Sequence, residues 1–145
     1  MGALAGGAVG GVLMLSIIAV CQAAGWWRFV MRWDPYYLLL MWIGGLVGAF
    51  VFLITWRLAR RFGGRGLGIA LFVMAAIGPL RDSWYMRIFP EWGTYAPGLV
   101  PMLAISMAYI ILGVAGHGTM RLIAGPAETD QLSSISALLG RQKTR

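Results

Sequence analysis

The chain has 145 residues, 59% of them hydrophobic and only 12% charged, with a mean hydropathy of +0.75. Soluble domains carry about 45–50% apolar and about 25% charged residues, so this balance points to lipid as the solvent. A formal net charge of +7 would suit nucleic acid if it formed a patch, but the basic residues flank apolar runs, and no nucleic-acid partner is expected.

Residues 2–24 carry no charge, and about 20 such residues at 1.5 Å each cover a hydrocarbon layer of about 30 Å. This is the expected first spanning helix. Gly2, Gly6 and Gly10, and likewise Gly7 and Gly11, recur four apart and strip one face for close helix contact. Cys21 stands alone, so it forms no intrachain disulfide and reads as a small buried apolar residue.

The connection from Gly25 to Pro35 is dense in indole rings and arginine, which favour the headgroup level of a bilayer. A second uncharged run over 36–55 predicts the second span, with Gly44 and Gly48 as its packing face beside Gly45. The stretch from Trp56 to Arg65 is the most basic. Its Gly63-Gly64 pair predicts a tight turn between antiparallel helices, and the positive-inside rule assigns it to the cytoplasm.

The third span is short. Gly66 to Leu80 gives only about 22 Å of helix, so either Arg65 and Arg81 snorkel at its two ends or the helix continues past Arg81 and Asp82. A kinked helix over 66–82 or a little beyond is the expectation, with the kink at Pro79. Residues 83–97 alternate aromatics with single charges and are expected to lie along the outer surface.

The fourth span is expected over 98–121, with Pro101 harmless in its first turn and Ala104 and Ala108 as a small-residue stripe. Gly125-Pro126 ends it, closing a membrane domain over 1–123. The tail, 124–145, spaces Leu132, Ile135, Leu138 and Leu139 as a short amphipathic helix would, and simple disorder fits as well.

The expected architecture is therefore an all-α integral membrane four-helix bundle with both termini in the cytoplasm, in a bacterial inner membrane. Arg57, Arg60, Arg61, Arg65, Arg121, Arg141, Lys143 and Arg145 lie inside in that orientation, against Arg28, Arg32, Arg81 and Arg87 outside.

Both outer connections are loaded with aromatics. Arg28, Arg32, Trp33, Asp34, Arg81, Asp82, Trp84, Arg87, Glu91 and Trp92 form the candidate binding surface there, for a lipid headgroup, a quinone-like ring or a partner subunit. An ordinary aromatic belt with surface ion pairs accounts for the same residues. His117, the sole histidine, is a possible ligand because Gly113, Gly116 and Gly118 would let a flat macrocycle approach; a helix-end histidine near the last carbonyls is the plainer reading.

Walker, Rossmann and hydrolase-elbow motifs and paired Cys or His ligand sets are all absent from the sequence, and no catalytic or metal residue is assigned. The leading expectation is a non-catalytic accessory or structural subunit that packs against itself or a larger membrane complex, in contact with membrane lipid. The alternatives are a small homo-oligomeric transporter or channel with Arg81 and Asp82 at its mouth, and a membrane enzyme acting on a lipid or isoprenoid substrate.

Overall fold

A computed structural model describes residues 1–29 and 35–125. The chain is mostly helical: α1 (Gly2–Ala23), α2 (Pro35–Val47), α3 (Ala49–Ile88) and α4 (Leu99–Ala124), with two short strands, β1 (Trp27–Phe29) and β2 (Gly93–Tyr95). Among the described residues, three helical stretches are long and apolar enough to cross a membrane: Gly2–Ala23, Trp42–Ile88 and Leu99–Ala124. The expected tail helix and the positions Arg32, Trp33 and Asp34 lie outside the described residues.

Proline opens α2 at its first position, where the missing N–H has no intrahelical partner to lose. The run expected over 36–55 is divided at Gly48, whose dihedrals stay right-handed (φ −59°, ψ −14°). Its N–H still reaches the Gly44 carbonyl at 3.0 Å, so the axis is interrupted without the backbone amides being abandoned.

The decisive break falls within α3. Gly63 takes φ 63° and ψ −151°, a region open to glycine and closed to residues with a Cβ. The chain reverses there. Phe52 from the arm before the turn (49–62) and Leu71 from the arm after it (64–88) meet Gly116 and Gly113 on α4. A straight helix would hold positions 52 and 71 about 28 Å apart, whereas three residues of α4 span about 5 Å.

At Pro79, by contrast, the dihedrals remain helical, because Gly63 alone within α3 leaves them. The helix then runs on to Ile88, beyond the end expected at 82. The terminating residue is Phe89, which Pro90 pushes out of helical geometry (φ −121°, ψ 66°).

Helix α1 is the central packing element, touching α2, α3 and α4. It runs antiparallel to α4, with Gly2 beside Met120 and Gly6 beside Gly116, and antiparallel to α2, with Gly7 beside Gly45 and Gly11 beside Trp42. A Cβ on Gly6 would stand 2.5 Å from the Gly116 carbonyl oxygen, and one on Gly45 would stand 2.5 Å from Gly11 Cα.

The close approach of α2 is therefore carried by Gly45. The expected face at Gly44 and Gly48 is displaced by one position, since Gly44 meets open space and Gly48 meets only its own helix. Gly10 makes only ordinary contact with the Phe52 ring. On α4, Ala108 is buried beside Ile105, and Ala104 packs partly buried against the same cluster of Ile18, Cys21 and Trp27.

Where α1 ends, the chain forms a two-stranded antiparallel ribbon, with Trp27 opposite Tyr95, Arg28 opposite Thr94 and Phe29 opposite Gly93. It places Trp27–Phe29 and Gly93–Tyr95, from the two aromatic connections, at the end of the molecule opposite the Gly63 turn. Gln22 anchors the ribbon by donating from Nε2 to the Phe29 carbonyl at 3.2 Å, and the Ala96 N–H donates to the Trp26 carbonyl at 2.9 Å. Trp27, Phe29 and Tyr95 then meet edge to face at 5.9–6.1 Å.

These contacts predict unequal tolerance of glycine replacement. Gly45→Ala is expected to lower stability by about 1–3 kcal/mol, because the new methyl would run into the α1 backbone at Gly11 and Gly7, which cannot give way as a side chain would. Gly44→Ala is expected to be neutral or stabilising by up to about 1 kcal/mol through helix propensity. Unfolding midpoints in mixed detergent micelles distinguish the two.

Candidate functional site

Three features stand out from the apolar packing. The first is at the ribbon end, where α3 continues past Pro79. Arg81 and Asp82 project there toward α4, with Asp82 partly covered and Arg81 more than half exposed. Arg81 donates from Nη2 and Nε to Asp82 Oδ1 at 2.7 and 3.0 Å, and Tyr109 donates its hydroxyl to Asp82 Oδ2 at 2.8 Å.

Tyr109 also accepts from Arg81 Nη2, so three side chains from two helices close a ring of hydrogen bonds. Both carboxylate oxygens are used. With the guanidinium largely in solvent, the ion pair contributes at most about 1 kcal/mol, and the hydroxyl bond to a charged, partly covered acceptor contributes more. The arrangement latches α3 to α4.

Beside this latch, Ser83 donates to the Pro79 carbonyl at 2.7 Å and reaches Met102 Sδ at 3.3 Å. A cleft of about 340 Å³ lies between Ser83, Met86, Arg87, Thr94, Tyr95 and the start of α4. Burial is the main cause that pushes the Tyr95 phenol well above its ordinary range, reinforced by the Asp82 charge and opposed by Arg81. The ring therefore stays neutral, with its hydroxyl proton retained at every physiological pH.

The remaining candidates spread around this end rather than converging. Arg28, Trp84, Arg87, Glu91 and Trp92 are exposed. Trp92 stacks on Phe89 at 4.6 Å, Phe89 stacks in turn on Tyr85, and Tyr85 meets Trp84 edge to face. The result is an aromatic strip along the outside of the last turns of α3.

The second feature is a buried pair. His117 and Thr55 are each about 97–99% covered, and Thr55 Oγ1 lies 3.0 Å from His117 Nδ1. Thr55 also reaches the Phe52 carbonyl at 3.0 Å. With its single proton on that carbonyl, His117 donates from Nδ1 and its Nε2 keeps a lone pair that has no partner among the described residues.

This corrects the reading of His117 as a histidine at a helix end near free carbonyls. The approach expected for a macrocycle is closed as well, because the Phe52 ring fills the space over Gly116 and Leu71 the space over Gly113. What remains is an interhelical polar contact between α4 and the first arm of α3, next to the Trp56 ring at 6.3 Å.

The third feature was not anticipated. The two arms of α3 diverge from the Gly63 turn and leave a groove of about 700 Å³ between them, lined by Val51, Ile54, Thr55, Leu58, Phe62, Arg65, Gly66, Ile69, Ala70, Val73 and Met74. Its walls are apolar apart from Thr55 and Arg65. Among the described residues no group of three His, Cys, Asp or Glu side chains could hold a metal ion.

Sequence inspection counted Tyr95 only among the outer aromatics and passed over Tyr109. Tyr109 stands near no charge along the chain, and only the packing of α4 on α3 brings it to a residue 27 positions away. No family model, curated protein or solved structure matches this chain.

Tyr109→Phe is expected to cost about 1.5–3 kcal/mol, since it removes a hydroxyl donor to a charged, partly covered carboxylate. Tyr85→Phe, on the exposed strip, is expected to cost less than about 0.5 kcal/mol. Thermal unfolding of the two variants in one detergent gives the comparison.

Proposed function

We propose that the protein is a four-span membrane subunit without catalytic activity of its own, which assembles with itself or with larger membrane subunits. In this reading α1, α2 with the first arm of α3, the second arm of α3, and α4 are the crossings. The Gly63 turn and both termini face the cytoplasm of a bacterial cell. The ribbon end, with Arg28, Arg81, Asp82, Trp84, Arg87, Glu91 and Trp92, faces outward and meets lipid, a cofactor or a partner.

The observation that carries the reading is how little of the apolar surface is covered within one chain. Only 18–33% of the residues in the most apolar windows are buried, and Phe50, Ile54, Ile69, Phe72, Leu80 and Leu122 are each more than 60% exposed. A helix apolar on all sides needs lipid or another helix around it. Among the described residues, meanwhile, Asp82 and Thr55 bond to partners on a second helix, in the latch and in the Thr55–His117 pair.

Purification in mild detergent, followed by mass determination and an absorption spectrum, tests the proposal. The expected particle exceeds the 15.8 kDa of one chain by at least one further polypeptide. A stable monomer that retains no other chain at any detergent concentration above the micellar threshold contradicts it.

A further inference from the structure

We propose that the groove between the two arms of α3 is a site for an anionic phospholipid, which lays one acyl chain against Ile69, Val73 and Leu58 and sets its phosphate at Arg65. The inference deepens the membrane-subunit reading and rests on its four crossings. It moves specific lipid binding from the aromatic end to the basic end.

Length is the first argument. From Phe62 back to Val51, and from Arg65 forward to Met74, the groove walls run about 14–17 Å at 1.5 Å per residue. That is half of a hydrocarbon layer of about 30 Å, so the groove matches the depth of a single leaflet. Its volume of about 700 Å³ also falls within the range of ordinary small-molecule sites.

Charge supplies the second argument and selects the occupant. The apolar walls end at Arg65, with Arg57 and Arg61 exposed around the same turn. Asp82 and Glu91, the acids of the described residues, belong to the opposite end of the hairpin. A zwitterionic headgroup gains little from that asymmetry, whereas each cation near a membrane surface favours an anionic one by about 1 kcal/mol. The walls themselves are open: Ile54 and Ile69 are 61% and 65% exposed. Thr55, at the back, has its hydroxyl committed to Phe52 and His117, so the groove floor offers no competing polar partner to a tail.

Native mass spectrometry of the full chain, titrated with phosphatidylglycerol and with phosphatidylcholine carrying the same acyl chains, tests the site. Phosphatidylglycerol is expected to be retained at least tenfold better. Arg65→Ala is expected to reduce that preference about fivefold, the effect of one surface cation, and Arg65→Lys to keep it.

Ile69→Trp, which fills the groove from an exposed position, is expected to weaken retention of both lipids, while Phe72→Trp, also exposed and outside the groove, leaves it unchanged. Equal retention of the two lipids by the unaltered chain, or a preference undiminished by Arg65→Ala, overturns the proposal. So does phosphatidylglycerol binding untouched by Ile69→Trp, or a lipid-free dimer that Ile69→Trp dissociates. Lipid retention is read independently of partner chains, so its failure is distinct from failure of the subunit reading.

Discussion

Helix α1 reaches two other helices at backbone contact distance, and the placement of every other group follows from that. In an apolar solvent one greasy helix has no reason to leave lipid for another, so association depends on dispersion at short range and on how closely two backbones can approach. Gly6 against Gly116 and Gly11 against Gly45 provide that approach on two sides of α1. With α4 and α2 fixed against a common partner, the first arm of α3 has one place to go. Phe52 then falls over Gly116, and Thr55 falls beside His117.

The same solvent makes helix ends the costly places, because the last carbonyls and first amides have no intrahelical partner. At one end the chain meets that demand with the Gly25 and Trp26 N–H groups on the Gln22 and Cys21 carbonyls, and with the Phe89 N–H on the Tyr85 carbonyl. At the other it meets it by reversing through a glycine and surrounding the turn with arginines. The two ends are thus chemically unlike. One is aromatic and internally bonded, and the other is cationic and opens onto an apolar groove.

Much of this was legible in the sequence, and the physical reason is that length and hydropathy are one-dimensional quantities. The uncharged runs, the turn at Gly63-Gly64 and the gathering of aromatics into two connections could be read directly. Which glycine faces a partner could not, because Gly44, Gly45 and Gly48 differ only by rotation about one helix axis, and the partner decides among them. The end of α3 was placed too early because Pro79 was weighed as a kink near the end of the span, whereas its dihedrals stay helical and the helix runs on to Ile88. Thr55 with His117 and Tyr109 with Asp82 are separated by 62 and 27 positions, so no local pattern announces either pair.

In the proposed topology α3 is a hairpin whose two arms both cross the membrane, so that the basic turn and the ribbon lie on opposite sides. Replacing Cys21 by Ala and introducing one cysteine at Gly64 or at Trp92 gives two chains for labelling with a membrane-impermeant maleimide in intact cells. The account predicts that the Trp92→Cys chain is labelled from outside, and that the Gly64→Cys chain is labelled only after the membrane is opened. Labelling of both from outside, or of neither, contradicts it.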